Sequence, residues 1–421
     1  MKKSLLLILG VAFVLRILWI LNVPTAPVYD FLKYHQGALS IAQGLGYKLY
    51  GLPTAFEPIG YPGFLALLYK IFGPYLIVPK VVNVFMSLGI IYLGYVLGRE
   101  LFHRGVGLLA ALMLALSPRN ITYTSVLSTE IFFTFFLLLS LVITLKYTSA
   151  KWSGPILGIL AGILALTKPF MLLFPGVIFL LLLVRKMSFL ASCKKTLWVT
   201  LFVILTICPW TIRNYYVFHR FIPISTNGGI TIYLNNNPYA QGHWQDPFKL
   251  PNSPLAKYQN PKTGFWDELA VDKVGKELAG KWILENPGDF IKLGLKKWYY
   301  IYNDAWDVSY SVDKLTNGKP LENRWWVYRT ARQAYKFLAY SLLLYALFFC
   351  RMLFTGKGIG LRSHWPLLLP IMFFSGLYFI FEGQPRYIFP LLPMLILMSS
   401  WGIISFFRFL ALKFSLKSKT S

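Results

Sequence analysis

The chain has 421 residues, 56% of them hydrophobic and 17% aromatic, with a mean hydropathy of +0.55. That composition excludes an ordinary soluble globule. The net charge of +26 arises from 42 Lys and Arg against 16 Asp and Glu; much of it lies in short loops between apolar runs, where it sets membrane topology and does not mark a nucleic-acid surface.

Apolar runs of about 20 residues fit helices crossing a hydrocarbon core of ~30 Å, where no open sheet edge survives. The first run, 4–22, follows Met1-Lys2-Lys3 as a signal peptide would. Arg16 interrupts it and no small-residue cleavage site follows, so it reads as an uncleaved span. Residues 24–74 form a long first loop with Gly44, Gly46 and Gly51 at turn positions. Within that loop 58–73 is apolar but too short to cross, which predicts a helix lying at the interface. Further spans are expected near 76–98, 106–124, 127–146, 153–167, 170–184 and 196–212, and the last three near 336–351, 365–381 and 387–407. The fold class is a polytopic α-helical membrane protein with about ten transmembrane helices.

Between the two groups of spans lies a polar stretch, 213–335, which holds 11 of the 16 acids. It predicts a mixed α/β extracytoplasmic domain. Asn227-Gly228-Gly229 and Asn235-Asn236-Asn237-Pro238 signal turns, and the alternation in 230–234 between them predicts a short strand. Residues 266–284 predict an amphipathic helix, and Asn286-Pro287 ends it and starts another. The chain thus divides into 1–212, a membrane module with the 24–74 loop; 213–335, the outer domain; and 336–421, the final spans and tail.

Loop cations fall in six sets: Lys2/Lys3, Arg99/Arg104, Lys146/Lys151, Arg185/Lys186/Lys194/Lys195, Arg351/Lys357/Arg362 and Arg408/Lys413/Lys417/Lys419. All six lie on one side of this layout. The positive-inside rule makes that side cytoplasmic, with both termini, and turns the first loop, the polar stretch and 382–386 outward. Cys193, Cys208 and Cys350 lie in or beside spans, so no disulfide framework is expected. No Cys/His spacing suggests a metal site, and no cofactor is expected.

Outside the polar stretch the only acids are Asp30, Glu57, Glu100, Glu130 and Glu382, and all but Glu100 face outward in this layout. Ionised side chains near hydrocarbon are costly, so these invite a functional reading. Asp30, beside Lys33, Tyr34 and His35, reads either as a helix cap or as a general base. Arg16 either snorkels to the interface or partners a carboxylate or a lipid phosphate. Lys168, in Thr167-Lys168-Pro169, and Arg386, in Gln384-Pro385-Arg386-Tyr387, sit at outer span ends. They either anchor the interface or form a cationic pocket for the phosphate of a membrane-embedded donor. Glu130 either caps its helix or positions an acceptor. Glu57, Tyr34, Tyr61 and Tyr387 complete the set as residues that organise the site or the acceptor.

The order of Arg16, Asp30, Tyr34, Gly44-x-Gly46-Tyr47 and Pro58-x-Gly60-Tyr61-Pro62 resembles the polyprenyl-phosphate-sugar-dependent glycosyltransferases of family 39, which have the GT-C fold. These include protein O-mannosyltransferases and bacterial transferases that add aminoarabinose to lipid A. Pro209-Trp210-Thr211-Ile212-Arg213-Asn214, Gly228-Gly229 through Pro238, and Arg386-Tyr387-x-x-Pro390-x-x-Pro393 are similar to the bacterial branch. The resemblance implies that Asp30 is the catalytic base and that Lys168, Arg386 and Arg16 hold the donor phosphate. Where many relatives carry Asp-Glu, this chain has Asp30-Phe31, leaving Glu57 or Glu130 as the acid to compensate. Relatives often have Arg at the position of Lys168. The implied reaction is inverting transfer from a polyprenyl-phosphate sugar to a lipid, glycan or protein acceptor at the outer face of the plasma membrane. The alternatives are a multi-span lipid or glycan transporter (a flippase), against which stands the absence of an internal repeat, and a non-catalytic scaffold.

Overall fold

A computed structural model describes residues 2–23, 25–311, 325–355 and 360–417. Lys357 and Lys419 lie outside the described residues, as do 312–324 of the polar stretch. In chain order the helices are α1 (Lys2–Asn22), α2 (Asp30–Ala42), α3 (Gly60–Phe72), α4 (Ile77–Leu101), α5 (Arg104–Leu116), α6 (Pro118–Thr122), α7 (Thr129–Lys146), α8 (Ser153–Thr167), α9 (Phe174–Val184) and α10 (Phe189–Phe218). They continue with α11 (Gly228–Leu234), α12 (Glu268–Glu285), α13 (Pro287–Tyr302), α14 (Trp325–Thr355), α15 (Trp365–Ile380) and α16 (Leu392–Lys417). A two-stranded antiparallel hairpin, β1 (Lys48–Leu49) and β2 (Leu52–Pro53), turns through Tyr50 and Gly51 in the first loop.

Helices occupy all ten expected span positions. Among the described residues six are long and apolar enough to cross a membrane alone: α1, α4, α7, α10, α14 and α16. The α5–α6 pair makes a seventh, bent by 57°, and α8, 169–184 and α15 are shorter apolar helices. This is a multi-span membrane protein. α1 leaves Leu6, Leu7, Val14 and Leu21 exposed, a face that lipid and not water must cover.

The bend at Pro118 has a local cause. Proline offers no N–H and holds Ser117 at ψ 117°, so the last α5 carbonyls lose their helical donors. Arg16 supplies them. It is fully buried, and its Nη1 donates to Ala115 O at 3.0 Å, its Nη2 to Leu114 O at 3.2 Å and its Nε to Ser87 Oγ at 2.7 Å. Elsewhere small residues let backbones touch: Gly154, Gly158 and Gly162 line the α8 seam against α10, where added methyls would meet Trp198, Phe202 and Thr206 at 3.2, 2.4 and 2.5 Å.

The polar stretch departs from expectation. Residues 230–234 are not a strand but most of α11, and the described part of 213–335 consists of helices joined by turns and loops, with one isolated bridge, Gln259 with Trp266. The reason is tertiary. Gly229 and Gly275 bring α11 and α12 into backbone contact; a Cβ at Gly229 would lie 2.0 Å from Asp272 O. Asp272 Oδ1 accepts the Gly229 N–H at 2.7 Å, fixing the first turn of α11. Tyr233, three residues after Ile230, is then buried against Val271 and Leu255. That helical packing outweighs the β-branched content of Ile230-Thr231-Ile232. A helix is present where one was expected at 58–73, as α3, and α12 and α13 match the expected helices, with Pro287 in the first turn of α13.

Candidate active site

Of the residues singled out by their charge, Asp30, Glu57, Glu130, Lys168, Glu382 and Arg386 converge on one cavity of about 590 Å³. Its membrane side is built by the start of α2 (Asp30, Lys33, Tyr34), the turn before α3 (Phe56, Glu57), the first turn of α7 (Thr129, Glu130), the end of α8 (Thr167, Lys168) and 378–387. The polar stretch closes the opposite wall with α11 and the 244–266 segment.

Asp30 opens α2, where its carboxylate faces the positive end of the helix. Tyr29 before it is held at φ 52°, a left-handed conformation that costs of order 1 kcal/mol and turns the chain sharply into the helix. The Asp30 side chain is one-third exposed and accepts from Arg386 Nη2 at 3.0 Å and Lys33 Nζ at 3.3 Å. Burial pushes its pKa up, but Arg386 first and Lys33 second outweigh this and hold it below the ordinary carboxylate value. Lys33 also reaches Glu57 Oε1 at 3.2 Å. For the deeply buried Glu57 the balance is opposite: burial, abetted by Asp30, raises its pKa against the pull of Lys33. The two carboxylates share a cation yet are driven apart in proton affinity, which separates a charged member from a proton-retaining one.

Arg386 lies in a short turn at 385–388 and packs over Phe31 and Tyr387, 6.0 and 5.5 Å from their centroids. Lys168 caps the end of α8 with its Nζ over Phe133 and Tyr387, each at 5.5 Å. Among the described residues no carboxylate lies within ion-pair distance of Lys168. Glu382, buried, accepts from the Tyr387 hydroxyl at 2.7 Å and from Gln384 Nε2, which fixes Tyr387 against the stacked Tyr378 ring. Glu130 lines the cavity beside Thr129 without capping α7 through its neighbour Ser128.

Two expected members are elsewhere. Arg16 is held by the carbonyls freed at the α5–α6 break and does not line the cavity. Tyr61 is buried one layer behind, edge-on to Tyr34 at 5.7 Å and packed with Phe132. Conversely, Lys33, Glu382, Gln384, Tyr378, Asp246, Trp244 and Trp266 line the cavity without having been assigned to the site. Of these, Lys33 was legible as the i+3 neighbour of Asp30, which a helix start brings onto the same face.

Residues 57–212 match the family model described as dolichyl-phosphate-mannose-protein mannosyltransferase. No curated protein matches the chain significantly. Among solved structures, the apo oligosaccharyltransferase of Archaeoglobus fulgidus is similar at TM-score 0.58 and 13% identity, over 100% of this chain and 52% of that one. The chain has the GT-C fold. The same archaeon's oligosaccharyltransferase AglB, in complex with an inhibitory peptide and a dolichol-phosphate, is similar at TM-score 0.56 and 14% identity, over 99% and 51% of the two chains. The GT-C chain described here spans about half the length of these relatives. ArnT from Cupriavidus metallidurans bound to undecaprenyl phosphate is similar at TM-score 0.43 and 13% identity, over 94% of this chain and 77% of that one, too low to carry an argument. The stretch matched by the family model contributes Glu57, Glu130 and Lys168 to the cavity; Asp30 and Arg386 come from outside it.

Proposed function

We propose that this GT-C protein is an inverting glycosyltransferase that moves a sugar from a polyprenyl-phosphate donor to an acceptor at the extracytoplasmic face. The observation that carries the reading is the Asp30–Arg386 pair. A carboxylate and a guanidinium 356 positions apart in sequence meet at 3.0 Å in one cavity, with Lys168 free for an anion beside them. The family model that matches 57–212, described by mannose transfer from dolichyl phosphate, supports the same class of donor.

In the resting site Arg386 and Lys33 keep Asp30 ionised but weakly basic. A donor phosphate competes for Arg386, which suits bidentate contacts, while Lys168 adds a point charge. As Arg386 turns to the phosphate, Asp30 loses a countercharge and its proton affinity rises toward what a general base needs. Asp30 then takes the proton from the acceptor's hydroxyl or amine as that group attacks the anomeric carbon. The bond from that carbon to the phosphate oxygen breaks on the opposite face, and polyprenyl phosphate leaves with the bonding pair. Configuration therefore inverts. Arg386 and Lys168 stabilise the charge that gathers on the leaving phosphate. Glu57, Glu130, Tyr34 and Tyr387 organise the site. The reading assigns no cofactor; among the described residues no group of three His, Cys, Asp or Glu side chains is placed to hold a metal.

In this reading the protein sits in a plasma membrane with both termini cytoplasmic, 213–335 outside as the acceptor-facing domain, and 1–212 and 336–421 as the membrane modules. The test is sugar release or transfer by the full chain in lipid nanodiscs, with a panel of labelled polyprenyl-phosphate sugars. Turnover of one donor supports the reading and names the sugar. Failure to bind any polyprenyl phosphate overturns it.

A further inference from the structure

The cavity is divided in charge. Its cations Lys33, Lys168 and Arg386 all lie on the membrane side. Among the described residues, the wall contributed by the polar stretch carries one acid, Asp246, and neither Lys nor Arg. That wall is instead aromatic. Trp266 is braced edge-on by Phe56 at 5.1 Å and packed by Phe248 at 5.3 Å. Trp244 lines the cavity 61% exposed, a large apolar ring held in water at the mouth of a polar site. Beside these rings stand the amides of Asn227 and Gln259, each engaged at one end within its own loop: Asn227 Oδ1 accepts from Ser225 Oγ at 2.8 Å, and Gln259 Nε2 donates to Gly264 O at 3.0 Å. Among the described residues, the other end of each amide makes no hydrogen bond and is open to a ligand. Asp246 Oδ1 accepts the Phe248 N–H at 3.0 Å, and Oδ2 lies 3.6 Å from the exposed Lys249.

We infer that this wall is an acceptor subsite for a neutral or amino sugar, so that the acceptor presents a glycan to the reaction centre. The inference rests on the glycosyltransferase reading of the same cavity and adds the class of acceptor. A pyranose ring has an apolar face of C–H bonds, which are weakly positive and lie well on the negative face of an indole. Its hydroxyls bond to amide and carboxylate groups around the rim, which is the mixture present here. Among the described residues, a phosphorylated acceptor meets no cation lining this wall and one carboxylate, Asp246, against it. A polypeptide acceptor bound by strand addition needs an exposed strand edge; among the described residues this wall offers only the single Gln259–Trp266 bridge.

The test uses the full chain in nanodiscs. Binding of polyprenyl phosphate alone to the wild-type protein is measured first; if it fails, the underlying glycosyltransferase reading falls, whatever the acceptor. The phosphate-loaded protein is then titrated with fluorescent neutral oligosaccharides ending in glucose, galactose, mannose, rhamnose or N-acetylglucosamine, and with a labelled Ser/Thr-rich peptide. The expected result is binding of at least one oligosaccharide, weakened about tenfold in Trp244→Ala and largely restored in Trp244→Phe, with no binding of the peptide. Trp244 is exposed, so these variants leave the core untouched. The inference is overturned if polyprenyl phosphate binds but no oligosaccharide does, if the peptide binds instead, or if Trp244→Ala binds as tightly as wild type.

Discussion

Asp307→Asn tests how the polar stretch is tied to the membrane body. Arg119, in α6, donates through Nε to Asp307 Oδ2 at 2.9 Å and through Nη2 to Oδ1 at 2.5 Å. The Tyr123 hydroxyl donates to the same Oδ2 at 3.0 Å. The side chains are 5% and 0% exposed, so water cannot replace either partner. Removing one member of a buried pair costs roughly 3–5 kcal/mol, because the other charge stays buried without its partner. Asparagine keeps one acceptor oxygen but sets an N–H against the guanidinium, which places the loss toward the lower end, about 3 kcal/mol. Replacing both, as Arg119→Met with Asp307→Leu, removes the uncompensated charge and recovers most of that loss. The pair also bears on the site. The 306–311 turn carries Tyr310, which lies edge-on to Phe31 at 5.9 Å, directly after Asp30. The assay is thermal unfolding in mild detergent, read by loss of helical circular dichroism, for wild type, Asp307→Asn and the double variant. Equal melting of wild type and Asp307→Asn refutes the reasoning, as does a double variant no more stable than the single.

Three further outcomes are expected. Asp30 is held below the ordinary carboxylate value, so activity that needs its charge is fully present above that value and falls only as pH drops through the depressed one; Lys33→Met removes one of the two cations responsible and shifts the acid limb of kcat/KM to higher pH, and an unmoved limb counts against Asp30. Arg16→Met strips donors from Leu114 O and Ala115 O, worth about 0.6 kcal/mol for each interhelical bond in a membrane. It should lower the melting temperature while leaving polyprenyl-phosphate affinity unchanged; weaker donor binding would return Arg16 to the site. Gly229→Ala puts a methyl 2.0 Å from Asp272 O and forces α11 off α12, so it should lower stability by about 1–3 kcal/mol in the same thermal assay, whereas wild-type melting would mean the two backbones are not in contact.

Much of the membrane body was legible in the chain because apolar length and loop charge are local signals. The helix positions, α3 among them, and the gathering of Asp30, Glu57, Glu130, Lys168 and Arg386 on one side followed from them. Arg16 was misread because its partners are backbone carbonyls. Their need for a donor arises only where Pro118 breaks a span that hydropathy shows as continuous. The signal was present in Ser117-Pro118, which predicts orphan carbonyls, but not in Arg16 itself. The segment 230–234 was misread because alternation in five residues fits a strand as well as a short helix, and the Gly229–Gly275 contact that decides is 46 positions apart. The aromatic wall was hidden for a similar reason. Nothing local in the sequence marks Trp244 or Trp266 as site residues; only the fold brings them into the cavity that Asp30 lines.

The central claim is that Asp30 removes the acceptor's proton in sugar transfer from a lipid phosphate. The most direct measurement is single-turnover transfer by Asp30→Asn beside wild type, in nanodiscs preloaded with the donor that wild type turns over and with its acceptor. The account predicts that the variant melts within a few degrees of wild type, still binds the donor, and transfers at least about 100-fold more slowly. Transfer at the wild-type rate by a folded, donor-loaded Asp30→Asn would contradict it.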